Sequence, residues 1–168
     1  SAANARIEFR PLPAQPTVDD AIAFEALFAG LMESLVRFEH PIQSLDWATA
    51  RSNFYAATRD GLRADIEWIT ADGATTTATD EIYGELFEHA REGLEQRGLS
   101  TAEARQYIRP LRERVDRRLT PARWKHDYVR RRVEENVPLT QAIWGMQNAY
   151  IREQRETLLD GSFMDWLE

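Results

Sequence analysis

The residues Arg6-Ile7-Glu8-Phe9-Arg10 read as a β-strand, and most of the sequence beyond them reads as helix. A lone strand cannot satisfy its own backbone hydrogen-bonding groups, so this one needs partners. The later sequence offers one hairpin. Asp65 to Thr70 alternates, Ala71-Asp72-Gly73 forms a turn, and Ala74 to Ala78 returns through Thr75, Thr76 and Thr77. A plain loop over the same residues is the alternative. The chain also opens Ser1-Ala2-Ala3-Asn4, without an initiator methionine. Together these features lead us to expect a single domain over residues 1–168 that is a fragment of a longer one. The other strands would then lie on a missing N-terminal portion.

The helical part is punctuated clearly. Pro11, Pro13 and Pro16 make an extended connector, and Thr17 starts a helix with Asp20 as its capping partner. Phe24, Leu27, Phe28, Leu31 and Leu35 recur at helical spacing until His40-Pro41 ends the segment. Ser44 or Asp46 caps a second helix, closed by Gly61. From Asp80 a third helix, carrying Ile82, Leu86, Phe87 and Leu94, stops at Gly98, and Ser100 with Glu103 has capping-box spacing for a fourth. Pro110 is expected to interrupt or kink that fourth segment. Thr120-Pro121 starts a fifth helix, Asn136 and Pro138 close it, and a sixth runs from about Leu139 to Leu159. Gly161 precedes a tail with Phe163, Trp166 and Leu167.

Composition narrows the function. A hydrophobic fraction of 43% is that of a chain with a core rather than a disordered one. A net charge of -7 disfavours general nucleic-acid binding, which requires a positive surface to displace counterions. No apolar run is long enough to span a bilayer, so we expect a soluble, cytoplasmic protein without a membrane partner. The absence of cysteine removes disulfides, thiolate ligands and a cysteine nucleophile together.

Alternation along the first strand places Arg6, Glu8 and Arg10 on one face and Ile7 and Phe9 on the other. A carboxylate between guanidinium groups suits a site handling a metal ion and phosphate, and it equally suits a solvated surface. The strand is followed by the helical signature Asn53-Phe54-Tyr55-Ala56-Ala57-Thr58-Arg59-Asp60-Gly61-Leu62. In that order the two segments resemble the later part of the family 2 carboxylate-amine ligases, the glutamate–cysteine ligase-like enzymes. The Arg10 to Pro16 connector resembles that of the archaeal type. The resemblance implies an α+β, mostly helical fold: the C-terminal part of a glutamine synthetase-like fold with one core strand, a hairpin and about six helices.

The same resemblance implies an activity. ATP would phosphorylate a carboxylate, and an amine would attack the resulting acyl phosphate, joining glutamate and cysteine in thiol biosynthesis. The cofactors implied are ATP and Mg2+. Glu8 is then a metal ligand, Arg10 a catalytic donor to the transferred phosphoryl group and to the nucleotide, and Arg59 a nucleotide contact. For Asn53 a helix-buttressing amide and a site residue remain open, as do a surface cation and a site role for Arg59. The isolated chain is expected to be inactive, and homo-oligomerisation is open.

The other candidates are weaker. His40, His89 and His126 are far apart in sequence and lack metal-binding spacing. Arg130-Arg131-Arg132, followed by Glu134 and Glu135, reads as a solvated helix face with local ion pairs. Trp124, Trp144 and Trp166 read as core or interface anchors. The alternative function is a non-enzymatic helical module that binds a partner protein.

Overall fold

The computed structural model describes residues 12–167, so the expected strand with Glu8 and Arg10 lies outside the described residues. Among those residues the architecture is α+β and mostly helical. In chain order come α1 (Val18–Arg37), α2 (Trp47–Asp60), β1 (Trp68–Ile69), β2 (Thr75–Thr76), α3 (Thr79–Gln96), α4 (Thr101–Asp116), α5 (Pro121–Glu134) and α6 (Leu139–Thr157). Short 3-10 turns span Pro41–Ser44, Gly61–Arg63 and Phe163–Leu167.

Local chemistry sets these boundaries. The Thr17 hydroxyl accepts from the Asp20 amide at 3.2 Å, and Asp46 accepts from the Ala48 and Thr49 amides to start α2. Ser100 and Glu103 form a reciprocal capping box. Gly61, Gly98 and Asn136 take positive φ at three helix ends, where a left-handed residue ends the hydrogen-bond ladder. The hairpin is present but short: β1 and β2 pair antiparallel, Trp68 opposite Thr76 and Ile69 opposite Thr75. Its turn is tied by Thr70, whose amide donates to the Ala74 carbonyl at 2.8 Å, with Gly73 at φ 85°.

Pro110 does not break α4. The helix runs through it, and the proline is buried against the core, which offsets the lost backbone bond. The sixth helix ends at Thr157, two residues short of the expected Leu159.

Helices α1, α3 and α4 pack on one another around Ala23, Phe87, Leu94, Ala104, Ile108 and Leu111. The crossing of α1 and α3 is unusually close. A Cβ on Gly30 would collide with the Ala90 carbonyl, and one on Gly93 with the Gly30 carbonyl. Helices α5 and α6 form a hairpin. Beside it, Phe163, Met164 and Trp166 from the tail are buried with Leu119, Trp124 and Tyr150 against them.

One buried ion pair joins these parts. Asp20, in the first turn of α1, is fully buried. One of its carboxylate oxygens accepts from the Thr17 hydroxyl at 2.8 Å and the Phe163 amide at 2.9 Å. The other lies 2.6 Å from an Arg114 Nη2 in the last turn of α4. Burial pushes the Arg114 guanidinium below its ordinary value, and the Asp20 charge opposes that.

The α1–α3 crossing generates a paired prediction. Gly30→Ala should destabilise by roughly 1–3 kcal/mol or more, because backbone must move to admit a methyl group. Gly84→Ala, on α3 with open space around it, should be neutral or stabilising by up to about 1 kcal/mol. Urea denaturation of both variants checks the contrast, and equal effects would refute the close crossing.

Candidate functional site

The second helix and the segment after it carry the described part of the motif. Helix α2 has no buried residue, and Trp47, Phe54 and Tyr55 are exposed along it. It is tied down by Asn53. That amide donates to the Glu67 carbonyl at 2.7 Å and accepts from the Glu67 amide at 3.0 Å, completing a two-bond clamp ahead of β1. Asn53 is therefore a buttress between helix and hairpin, one of the two roles left open by the sequence.

Arg59 sits in the last turn of α2, its side chain 75% exposed. Its guanidinium meets the Asp60 carboxylate through Nε at 2.9 Å and Nη2 at 2.8 Å. That contact raises its pKa above the usual arginine value. It leaves the Nη1 donors directed elsewhere. Arg59 borders two surface hollows. One, along α2, is lined by Trp47, Arg51 and Tyr55, and the other lies between the end of α2 and the start of α5. The structure thus brings Arg59 into a basic concavity, whereas Glu8 and Arg10 are outside the described residues.

The fold also assembles a cluster that sequence spacing concealed. His40, Glu85 and His89 present ligand-type atoms within 4.8 Å of one another. The two imidazoles meet edge to face at 4.8 Å between ring centres. The Glu85 carboxylate accepts from His40 Nε2 at 2.7 Å, Trp68 Nε1 at 3.0 Å and the Ala71 amide at 3.2 Å. Burial alone would raise the Glu85 pKa, but these three donors outweigh it and hold the carboxyl below its ordinary value.

The hydrogen bonds argue that this cluster is a lock rather than a metal centre. The Ile42 amide donates to His40 Nδ1 at 3.0 Å, so the proton of the neutral ring sits on Nε2 and is given to Glu85. A metal-bound histidine normally shows the reverse, with its second nitrogen donating to an oxygen. A nitrogen-rich set also suits magnesium poorly. The lock pins the His40 turn, the hairpin and α3 together. Sequence spacing carries no signal for it, because 45 residues separate His40 from Glu85.

The remaining candidates divide. Arg130 pairs with Asp127 and Glu134, and Arg132 with Glu135, on the solvated side of α5. Trp124 and Trp166 stack edge to face at 5.6 Å, while Trp144 is 69% exposed on α6.

The sequence profile of glutamate-cysteine ligase family 2 matches residues 1–155. The chain belongs to glutamate-cysteine ligase family 2. Searches among curated proteins and among solved structures gave no match. The family's matched span includes Glu8, Arg10, Asn53 and Arg59 together with α1 to α5 and most of α6. Family membership places the chain in the carboxylate-amine ligase class. No helix among the described residues is long and apolar enough to cross a membrane.

The lock carries a pH dependence. His89 Nδ1 lies 3.0 Å from the buried Ser34 hydroxyl. Burial first, and then the neighbouring His40, lower the His89 pKa below 6.5, against the opposing pull of Glu92 and Glu85. Below 6.5 the unfolded chain takes up the proton before the folded one, so stability complete above that value drains away as the pH falls. Denaturant melts between about pH 7.5 and 5.5 should show this loss, and His89→Gln should make the slope shallower. An unchanged slope in the variant would remove His89 as its source.

Proposed function

We propose that this chain forms part of an ATP-dependent enzyme joining glutamate to cysteine through an acyl phosphate. ATP supplies the phosphoryl group that converts an unreactive carboxylate into an electrophile. The observation that carries this reading is the family match across residues 1–155, which spans both motif segments. Glu8 would hold Mg2+, Arg10 would donate to the transferred phosphoryl group, and Arg59 would contact the nucleotide.

The described residues bear differently on the two cofactors. Their candidate metal grouping is His40, Glu85 and His89, whose donor set does not fit magnesium; the magnesium ligand proposed for Glu8 follows from the family resemblance alone. The exposed Arg59 fits a phosphate-bearing ligand, since its spare donors form part of a planar fork of permanent charge. Exposed apolar side chains on α6 and just beyond it, among them Leu139, Trp144 and Leu159, support a second reading as a helical interaction module.

ADP release by the full-length protein with Mg-ATP separates these readings. The ligase reading expects release that needs both glutamate and cysteine. Glu8→Ala should reduce it on the order of 100-fold, the scale for losing one charge-stabilising group. Full activity in that variant would return Glu8 to an ordinary charged surface. A wild type with no response to Mg-ATP would favour the module.

A further inference from the structure

The hollow between the end of α2 and the start of α5 is lined by more basic than acidic side chains. Two distant segments form it, Thr58 to Arg63 and Arg118 to His126, enclosing about 430 Å³. Arg59, Arg63, Arg118, Arg123 and His126 line it, with Asp60 as the acidic lining residue. A chain of net charge -7 thus gathers four arginines around one concavity. Concentrated positive charge in a concave surface raises the local concentration of anions.

Acidic neighbours orient these arginines without consuming all their donors. Arg59 is held by Asp60, Arg118 Nη2 by Asp80 at 2.9 Å, and Arg123 Nε by Asp127 at 2.6 Å. His126 Nδ1 lies 3.5 Å from the other Asp127 oxygen. A guanidinium carries five N–H donors, so each pair leaves donors for a further acceptor. Arg63 is exposed and has no ion-pair partner among the described residues. Arg118 adopts φ 50°, a left-handed position after α4 that glycine or asparagine fills more readily. An arginine at that place costs the backbone and gains a cation for the hollow.

We propose that this hollow is a binding site for a multiply charged phosphate; through Arg59 it rests on the ligase reading and adds Arg63, Arg118 and Arg123 to the phosphate-binding residues. Planar guanidinium forks match phosphate oxygens, and a diphosphate can bridge the two sides of the hollow. The phosphate can come from a free diphosphate or from a nucleoside diphosphate, since both present the same oxygens.

Isothermal titration with inorganic pyrophosphate and with ADP, at constant ionic strength and without magnesium, tests the proposal. Saturable one-site binding of pyrophosphate is expected. It should weaken about tenfold in Arg63→Gln, the change for losing one charge-assisted contact. Thermal melts should show that this exposed substitution leaves the fold intact. Arg97→Gln, which removes a surface arginine paired with Glu33 outside the hollow, should bind as the wild type does. Tighter binding of ADP would assign a nucleotide, and equal binding a free phosphate; both support the site. Absence of saturable binding, equal affinity in Arg63→Gln, or an equal loss in Arg97→Gln would overturn it.

Discussion

The backbone contact between α1 and α3 is the constraint on which the rest of the described structure depends. Gly30 and Gly93 each face the other helix's backbone with no room for a side chain, so the two axes approach more closely than side chains would permit. That approach places Ala23, Phe87 and Leu94 within one cluster, and α4 closes it with Ala104, Ile108 and Leu111. Dispersion is short-ranged, so an axis shift of one methyl group would loosen contacts along both helices. Buried and half-buried polar groups then fasten the periphery to this centre. Asp20 ties the start of α1 to the end of α4 and to the tail, and Glu85 ties α3 to the hairpin and the His40 turn. Each pair is costly to break, because removing one partner strands the other in a low-dielectric setting.

Much of this fold is legible in the sequence, for reasons that are local. Helix starts at Thr17, Asp46, Ser100 and Thr120 follow from side chains that cap amides two or three residues away. The Asp72-Gly73 turn needs only a residue tolerant of positive φ. Pro110 reads as an interruption or a kink because propensity says nothing about burial, and here α4 continues through it with the proline buried in its packing. The segment from Phe163 to Leu167 reads as a tail, yet it seals the second apolar cluster. Its partners Leu119, Trp124 and Tyr150 are too remote in sequence for any local pattern to reveal.

The site is less legible. Periodicity puts residues on a face, but it does not show what lies opposite. Asn53 stands between two roles in the sequence, and the structure shows the buttressing one, with Glu67 taking both ends of its amide. The His40–Glu85–His89 lock leaves no trace in spacing, because tertiary packing alone brings its parts together. The basic hollow combines Arg63 with Arg118 and Arg123 across more than fifty residues of chain, whereas in the conspicuous arginine run Arg130 and Arg132 are engaged in ion pairs and Arg131 lies over the Tyr128 ring. The segment with Glu8 and Arg10, expected as a strand from the sequence, lies outside the described residues and within the family match.

Membership in glutamate-cysteine ligase family 2 makes activation of a carboxylate by ATP the central functional claim. Oxygen transfer tests it most directly. Glutamate labelled with oxygen-18 in its side-chain carboxylate would be incubated with the full-length protein, Mg-ATP and cysteine, and the inorganic phosphate analysed by mass. An acyl phosphate leaves one carboxylate oxygen on the departing phosphate when the amine attacks, so about one labelled oxygen per phosphate released is expected. Phosphate released without label, at any rate of ATP turnover, would contradict the ligase mechanism.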